Sequence, residues 1–426
     1  GSGVTIMGYA GITNQDVASN SIDIYHQTSI EQIQNNLATR PCIVTTNLVD
    51  NATPVVQPVS DFTIPISTPF VLTGAATDAN ATDVLTYCWE QNDDGGANTG
   101  LLSSASETKT IGPNFLTWYP TASPSRYFPK IESIVANSNT TSEVGGTAGF
   151  LSEALSSVSR VLNFRLTVRD NAPYRATAPV KVGQTNYTDM KVNVTSSAGP
   201  FIVNAPNTAV SWVVGSNQTV TWAVAGTTAN NVNAAFVDIF LSTDGGYTYP
   251  IQLASKVPNN GTATVTVPNN PGSSNRIMVK GYKHVFFDIS NVNFTITAPT
   301  SSFAIAYNGV AEQQNKSICQ GASVTYDLAY QVLSGFSGTT TFSASGQPVG
   351  STITFTPASR TTTGTVEMQI NTTGATAVGF YSVVVTATSG TANSGLTFYL
   401  TTEEPVVLGT TDIVWAAAPT AVEIPS

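Results

Sequence analysis

Charge and imidazole are both scarce in this chain of 426 residues: only 10% are charged, and histidine occurs twice, at His26 and His284. The 16 Lys+Arg are scattered singly against 26 Asp+Glu, for a formal net charge of −10. No basic stripe exists to neutralise phosphates, which excludes nucleic acid as a partner and disfavours anionic membrane surfaces. No stretch approaches ~18 consecutive apolar residues, so no membrane-spanning helix is expected. The first residues lack a charged segment followed by an apolar one; the chain reads as soluble, with any export signal outside it. Cysteine occurs three times, and the wide spacing of Cys42, Cys88 and Cys319 fits neither a zinc knuckle nor a disulfide framework. One internal bridge is the maximum; a Cys42–Cys88 pair and three buried thiols are the alternatives. The strong helix formers Glu, Lys, Leu and Arg are few.

Thr, Ser, Asn, Val and Ala are abundant instead, and apolar residues make up 41%. That composition suits β-sheets joined by short polar turns. The length implies two to four domains of roughly 100–150 residues. One stretch has helical character: in "YHQTSIEQIQNNLATRP" Ile30, Ile33 and Leu37 recur at spacings of three and four, Thr28 or Ser29 can cap the start, and Pro41 marks where the helix has ended. His26 caps or packs at its beginning.

Beyond it, apolar alternation takes over. In "VLNFRLTVRDN" Leu162, Phe164, Leu166 and Val168 face a core, while Asn163, Arg165, Thr167 and Arg169 face outward. Trp89 is the candidate aromatic centre of that core. Further short strands recur at "QTVTWAVAG", "AFVDIFLSTDGG", "ASVTYDLAYQV", "STITFTP", "GTVEMQI" and "GFYSVVVTATSG", with Gly- and Pro-bearing turns between them. The expected fold class is therefore all-β, a tandem of Ig-like or fibronectin-like β-sandwiches over 51–197, 198–298 and 299–403. A short helical segment precedes them over 1–50, and the start of a further β module or linker comes after them over 404–426.

Oxygen-bearing side chains collect at Asp78, Asn80 and Asp83, at Glu90, Asp93 and Asp94, and at Asp170 and Asn171. If strand ends bring them to one pole, Asp78, Asn80, Asp83, Glu90, Asp94 and Asp170 form a candidate calcium site, because a hard cation takes six to eight oxygen ligands. The 51–197 module resembles PKD-like and cadherin-like domains, which use such poles. Solvated turns are the competing reading. The Asp-Gly-Gly at Asp244 is a turn first and a metal loop second. Asp93 and Asp94 are adjacent and point apart, so they do not form a glycosidase pair. Exposed Trp212, Trp222, Tyr247 or Tyr249 would suit stacking on sugar rings, although Trp in a sandwich usually belongs to the core. His284, beside Phe286 and Phe287, reads as a strand residue. Asn139 begins an Asn-x-Thr sequon of the kind that Asn- and Thr-rich sequence produces by chance.

The opening "TIMGYAG" resembles the Met-turn of metzincin zinc endopeptidases. The adjoining stretch "NSIDIYHQTSIEQIQ" is similar to the last catalytic-domain helix of secreted bacterial metalloproteases with a reprolysin-like catalytic domain, many of them exported by the type IX route. The strings "VLTGAATDANATDVLTYCWEQNDDGG", "VDIFLSTDGGYTYPIQLAS" and "SICQGASVTYDLAYQVLSGFSGTTTFSASG" look like the Ig-like accessory modules of the same proteins. The resemblance implies that Met7 is the Met-turn methionine, a structural residue beneath the metal, and that Tyr9 stands where several branches place a tyrosine reaching zinc or the tetrahedral intermediate. Thr13 departs from the pattern, since relatives often carry a cysteine there. The ligand helix HExxHxxGxxH has no counterpart, so zinc belongs to the intact protein and this chain alone is expected to be inactive.

The resemblance thus implies a non-catalytic accessory region of an exported zinc metalloendopeptidase, secreted or at the cell surface. Its partners would be a protein or peptide substrate of the intact enzyme and cell-surface or export machinery. The alternative is an adhesin or stalk of β-sandwiches, in one version carbohydrate-binding. Without their catalytic-domain partner, residues 1 to about 40 should either dock on the first sandwich or another chain, or be poorly ordered.

Overall fold

The computed structural model describes residues 3–42, 48–299, 301–308 and 314–405. The chain divides into two compact units, 1–299 and 300–426. Most of the expected further module over 404–426 lies outside the described residues.

The first unit begins with the segment that carries the helix. It runs Gln27–Ala38, and its N-cap is His26, whose Nδ1 accepts from the Thr28 amide at 3.2 Å. Neither Thr28 nor Ser29 is the cap; a ring nitrogen takes the place of the usual side-chain oxygen. The segment docks on the neighbouring sandwich. Val4, Val17 and Ala18 are buried, and backbone bonds run from Val144 N to the Val17 carbonyl at 2.7 Å and from Thr147 N to the Asp16 carbonyl at 2.7 Å.

In that sandwich Phe62–Pro65, Thr185–Thr195, Arg160–Arg169 and Thr86–Gln91 form a four-stranded sheet in this order, and Phe70–Thr73 pairs with Ser125–Phe128 in a separate two-stranded sheet. Leu162, Phe164, Leu166 and Val168 are essentially inaccessible, as alternation requires. Phe70, Phe115, Phe128 and Phe164 pack ring to ring, with centroids 4.8 Å apart for Phe70–Phe128 and for Phe128–Phe164. Trp89 is buried with them, its Nε1 donating to the Pro124 carbonyl at 3.0 Å.

The opposite face of Arg160–Arg169 corrects the expectation of solvent exposure. Thr167 is fully buried and Arg165 is 7% exposed. The helix covers both: Arg165 pairs with Glu31 at 2.7 Å and Asp189 at 2.6 Å, while Thr167 donates to Glu90, which accepts from Gln27 N. Alternation names the two faces of a strand but not what is laid over the second one.

The second sandwich of this unit has a three-stranded sheet (Ile202–Ala205, Asn217–Ala223, Thr262–Thr266) and a larger sheet (Ser211–Val213, Phe294–Thr297, Gly272–Gly281, Phe236–Ser242, Ile251–Pro258) with Phe287–Ile289 beside Gly272–Gly281. It is joined to the first by more than a linker. Val71 N donates to the Val285 carbonyl at 2.9 Å and Phe287 N to the Pro69 carbonyl at 3.0 Å, and Val71, Ile134, Met278, Phe287 and Ile289 form one apolar cluster across the junction.

The second unit is one sandwich. Ser302–Tyr307, Ser323–Leu333, Gly364–Asn371 and Thr352–Thr356 face a sheet ordered Asn315–Cys319, Ala392–Glu403, Gly379–Ser389, Thr340–Ser345 and Ser359–Arg360. Tyr326 and Tyr330 lie in its core with their hydroxyls satisfied, on the Tyr399 carbonyl at 2.8 Å and on the Thr340 hydroxyl at 2.8 Å.

One topological feature recurs. In each sandwich an early strand lies parallel to the last: Phe62–Pro65 with Thr185–Thr195, Ser211–Val213 with Phe294–Thr297, and Asn315–Cys319 with Ala392–Glu403. All other ladders among the described strands are antiparallel. The chain is therefore a tandem of Ig-like β-sandwiches.

Candidate functional site

The opening turn is as tight as its glycines suggest. Gly8 N donates to the Thr5 carbonyl at 2.7 Å, Tyr9 adopts a left-handed conformation (φ 52), and a Cβ on Gly8 would lie 2.2 Å from the Gly3 carbonyl oxygen. The side chains on this turn point away from the body. Met7 is 51% and Tyr9 61% exposed, and so is much of the helix stripe, Ile33 at 43% and Leu37 at 52%.

Neither histidine is placed to hold zinc. His26 caps the helix with Nδ1 and has Nε2 3.7 Å from buried Glu90. His284 lies edge-on to Phe62 and Phe286, its Nδ1 accepts from Val285 N at 2.9 Å, and burial lowers its pKa to about 4. Among the described residues no three His, Cys, Asp or Glu side chains stand together as metal ligands. The described residues offer no ligand set that fits zinc.

The six candidate calcium ligands separate into different places. Glu90 is fully buried beneath the helix, accepting from Gln27 N at 3.3 Å and Thr167 Oγ1 at 2.6 Å. Asp94 accepts from Gly96 N at 2.8 Å and holds a turn. Asp78, Asn80, Asp83 and Asp170 belong instead to one network with Asp50 and Asn51. Asp244 is a turn residue: it accepts from Ser242 Oγ at 2.6 Å, Tyr247 N at 3.1 Å, Thr248 N at 3.0 Å and Thr248 Oγ1 at 2.6 Å. Burial opposes its ionisation, but these donors outweigh burial and hold its carboxyl well below the usual range.

The candidate sugar platforms are mostly core. Trp212 packs on Phe294 with centroids 4.4 Å apart, and Trp222 is buried with Nε1 donating to Asn259 at 2.8 Å. Tyr249 joins the inter-sandwich cluster and only Tyr247 is exposed. Nor is there a Cys42–Cys88 bridge or a set of three buried thiols. Cys42 and Cys319 are exposed and free, while Cys88 is buried, its thiol donating to the Trp118 carbonyl at 3.3 Å and pushed up by burial to about 12.

Sequence reasoning missed a heavily bonded buried carboxylate in the first sandwich. Glu153 is fully buried; Oε1 accepts from Trp118 Nε1 at 3.0 Å and Arg126 Nη2 at 2.8 Å, and Oε2 from Lys130 N at 2.8 Å and Thr141 Oγ1 at 2.8 Å. Arg126 also donates to the Trp89 and Leu116 carbonyls, both at 2.6 Å. The network backs a groove of about 240 Å³ lined by Tyr87, Trp118, Tyr119, Tyr127 and Lys130. No local signal marks it, because Glu153 meets its partners on separate segments 12 to 35 residues away.

No family model matches this chain, and no curated protein does. Among solved structures it is similar to Dscam1 isoform 6.44, N-terminal four Ig domains, at 11% identity over 84% of this chain and 79% of that one, with a TM-score of 0.22. The fibronectin(III)-like modules of Clostridium thermocellum CbhA match at 10% identity over 48% of this chain and 95% of theirs, with a TM-score of 0.16. Bacteroides ovatus SGBP-B, in complex with a mixed-linkage heptasaccharide, matches at 10% identity over 83% and 71%, also with a TM-score of 0.16.

Proposed function

We propose that this chain is the accessory region of an exported zinc metalloendopeptidase, secreted or at the cell surface, with the segment up to Ala38 as the trailing end of its catalytic domain. One observation supports the reading: the helix is held through its first turns alone, and beyond Glu31 all its residues are exposed, the apolar Ile33 and Leu37 included. Its polar residues Glu31 and Thr28 bond the sandwich, to Arg165 at 2.7 Å and Asn92 at 2.5 Å, while Ile33, Leu37, Met7 and Tyr9 face outward. A surface helix ordinarily buries its apolar stripe. An apolar outer face is coherent when a further domain covers it. In the intact enzyme, zinc-activated water would attack the peptide carbonyl of a protein substrate, with ligands and base supplied upstream and these modules orienting the catalytic domain against a cell surface or the export machinery.

The second reading is a β-sandwich stalk. It is favoured by the backbone pairing of Val71 with Val285 and Phe287 with Pro69, which stiffens the first unit. Carbohydrate binding loses Trp212 and Trp222 as platforms. The test is to produce the chain with whatever coding sequence precedes Gly1 in its gene and compare Met7 oxidation by dilute peroxide. Slower oxidation in the longer chain, with one bound zinc and peptide hydrolysis, is expected. Equal oxidation rates, or an upstream sequence without an HExxHxxGxxH helix, overturn the peptidase reading and leave the stalk.

A further inference from the structure

We propose a calcium site at one pole of the first sandwich, built from Asn51, Asp78 and Asp83. It does not rest on the peptidase reading. Asn51 is 6% exposed, and its Nδ2 donates to Asp170 Oδ2 at 2.5 Å and the Val182 carbonyl at 2.9 Å. With the amide nitrogen held there, its Oδ1 is buried and meets no donor.

Asn80 ties the neighbouring loop to the same segment. Its Oδ1 accepts from Ala52 N at 2.7 Å, its Nδ2 donates to the Asp50 carbonyl at 3.4 Å, its own amide donates to Asp78 Oδ1 at 2.7 Å, and its carbonyl accepts from Asp83 N at 3.0 Å. Asp78 therefore has one oxygen occupied, as does Asp83 through Lys181 at 3.5 Å. The Oδ2 of each is buried without a hydrogen-bond donor, and the Asp83 side chain is only 4% exposed.

Three buried oxygens, two of them carboxylate, thus lack donors within one stitched loop cluster. Buried polar atoms are almost always partnered, and a missing ion is a standard reason for an exception. The donors are all oxygen, one a neutral amide, on irregular loops. That set suits a hard cation with flexible coordination, calcium rather than zinc, with waters and backbone carbonyls completing the shell. Only two carboxylates take part, in keeping with the absence of any three-acid group among the described residues. Asp170 is not a ligand here; it is the residue that aims Asn51. Lys181 is the resident cation beside Asp83 and competes with calcium for it.

The test uses the full chain, stripped with EDTA and titrated with calcium chloride by calorimetry and thermal melting. One calcium is expected per chain, with a dissociation constant of about 10⁻⁴–10⁻³ M, as for other extracellular modules, and an upward shift of the melting transition. Asp83→Asn should weaken binding at least about tenfold, while Lys181→Met, which removes the competing ammonium, should tighten it about threefold or more. Asp244→Asn, at the turn in the second sandwich, should leave calcium affinity unchanged. The calcium-free melting temperature of each variant reports folding, and if Asp83→Asn does not fold, Lys181→Met still decides. No binding at millimolar calcium, binding untouched by Lys181→Met, or equal affinity for magnesium overturns the site.

Discussion

Replacing Glu153 with glutamine changes one atom and should be among the most damaging substitutions in the first unit. The carboxylate accepts four hydrogen bonds, two at each oxygen. Glutamine has one oxygen for these four donors. Its better orientation keeps Arg126 and Trp118 on the remaining oxygen and turns the NH₂ toward Lys130 N and the Thr141 hydroxyl. The hydroxyl can rotate to accept, but the Lys130 amide cannot. One buried donor is then unsatisfied, at about 1–3 kcal/mol, and the Arg126 guanidinium has lost its counter-charge in a site where Glu153 is 0% exposed. Breaking a buried ion pair from one side costs about 3–5 kcal/mol. For a unit of this size that is a fall of roughly 10 °C in its melting transition. Thermal unfolding by circular dichroism, with urea unfolding as a second measure, reads it. The double variant Arg126→Met/Glu153→Leu separates charge from hydrogen bonding. It removes the ion pair but leaves Trp118 Nε1, Lys130 N and the Trp89 and Leu116 carbonyls without their partners, so it should not recover. A Glu153→Gln loss under about 1 kcal/mol, or full recovery in the double variant, refutes the reasoning.

A thiol reagent should titrate exposed Cys42 and Cys319 quickly in the folded chain and reach Cys88 only on unfolding, since that thiol is buried and pushed up to about 12; three equally fast thiols would show that the loop carrying Trp118 opens readily. Asp288 is raised by burial from 3.8 to about 7 while accepting from Val203 N at 2.7 Å, so the fold holds its proton where the unfolded chain does not. The stability it contributes is full below about pH 4 and falls as pH rises through about 7, by up to about 4 kcal/mol. His284, depressed from 6.5 to about 4, works the other way: its contribution is full above about pH 6.5 and lost as pH falls toward 4. Asp288→Asn should therefore become more stable relative to the parent as pH is raised from 5 to 8, and urea midpoints whose difference does not change with pH would exclude the assignment.

Alternation located most strands because it depends on local geometry alone: Leu162, Phe164, Leu166 and Val168 are core whatever else the chain does. What alternation cannot see is the covering of a strand's other face. Arg165 and Thr167 read as outward, yet Glu31 and Glu90 reach them from segments more than 70 residues away in sequence. The same limit governs the acidic residues. Glu90 and Asp94 stand near one another in sequence with Asp78 and Asp83, but the fold gives Glu90 to a helix N-terminus and Asp94 to a turn. Asn51, uncharged and well ahead of the acidic run, has a buried oxygen without a donor, as Asp78 and Asp83 do. The parallel pairing of an early strand with the last one in every sandwich is equally silent, since strand pairing across a whole domain leaves no periodicity within either strand.

The first sandwich is gripped from two sides. On one, Glu90 and Arg165 hold the helix through Gln27 and Glu31; on the other, Val71 and Pro69 extend the backbone pairing into the second sandwich at Val285 and Phe287. These two grips are linked through its own core: Arg126, hydrogen-bonded to the Trp89 carbonyl, lies on the strand that pairs with Val71, and Trp89 precedes Glu90 directly. A helix displaced by a domain docking on its outer face would therefore pull on Glu90, next to a residue tied into the Arg126–Glu153 network. Because packed interiors resist deformation, the helix, the first sandwich and the second should hold position as one body. If the proposed catalytic domain docks over Met7, Ile33 and Leu37, this rigidity is the property that would orient it.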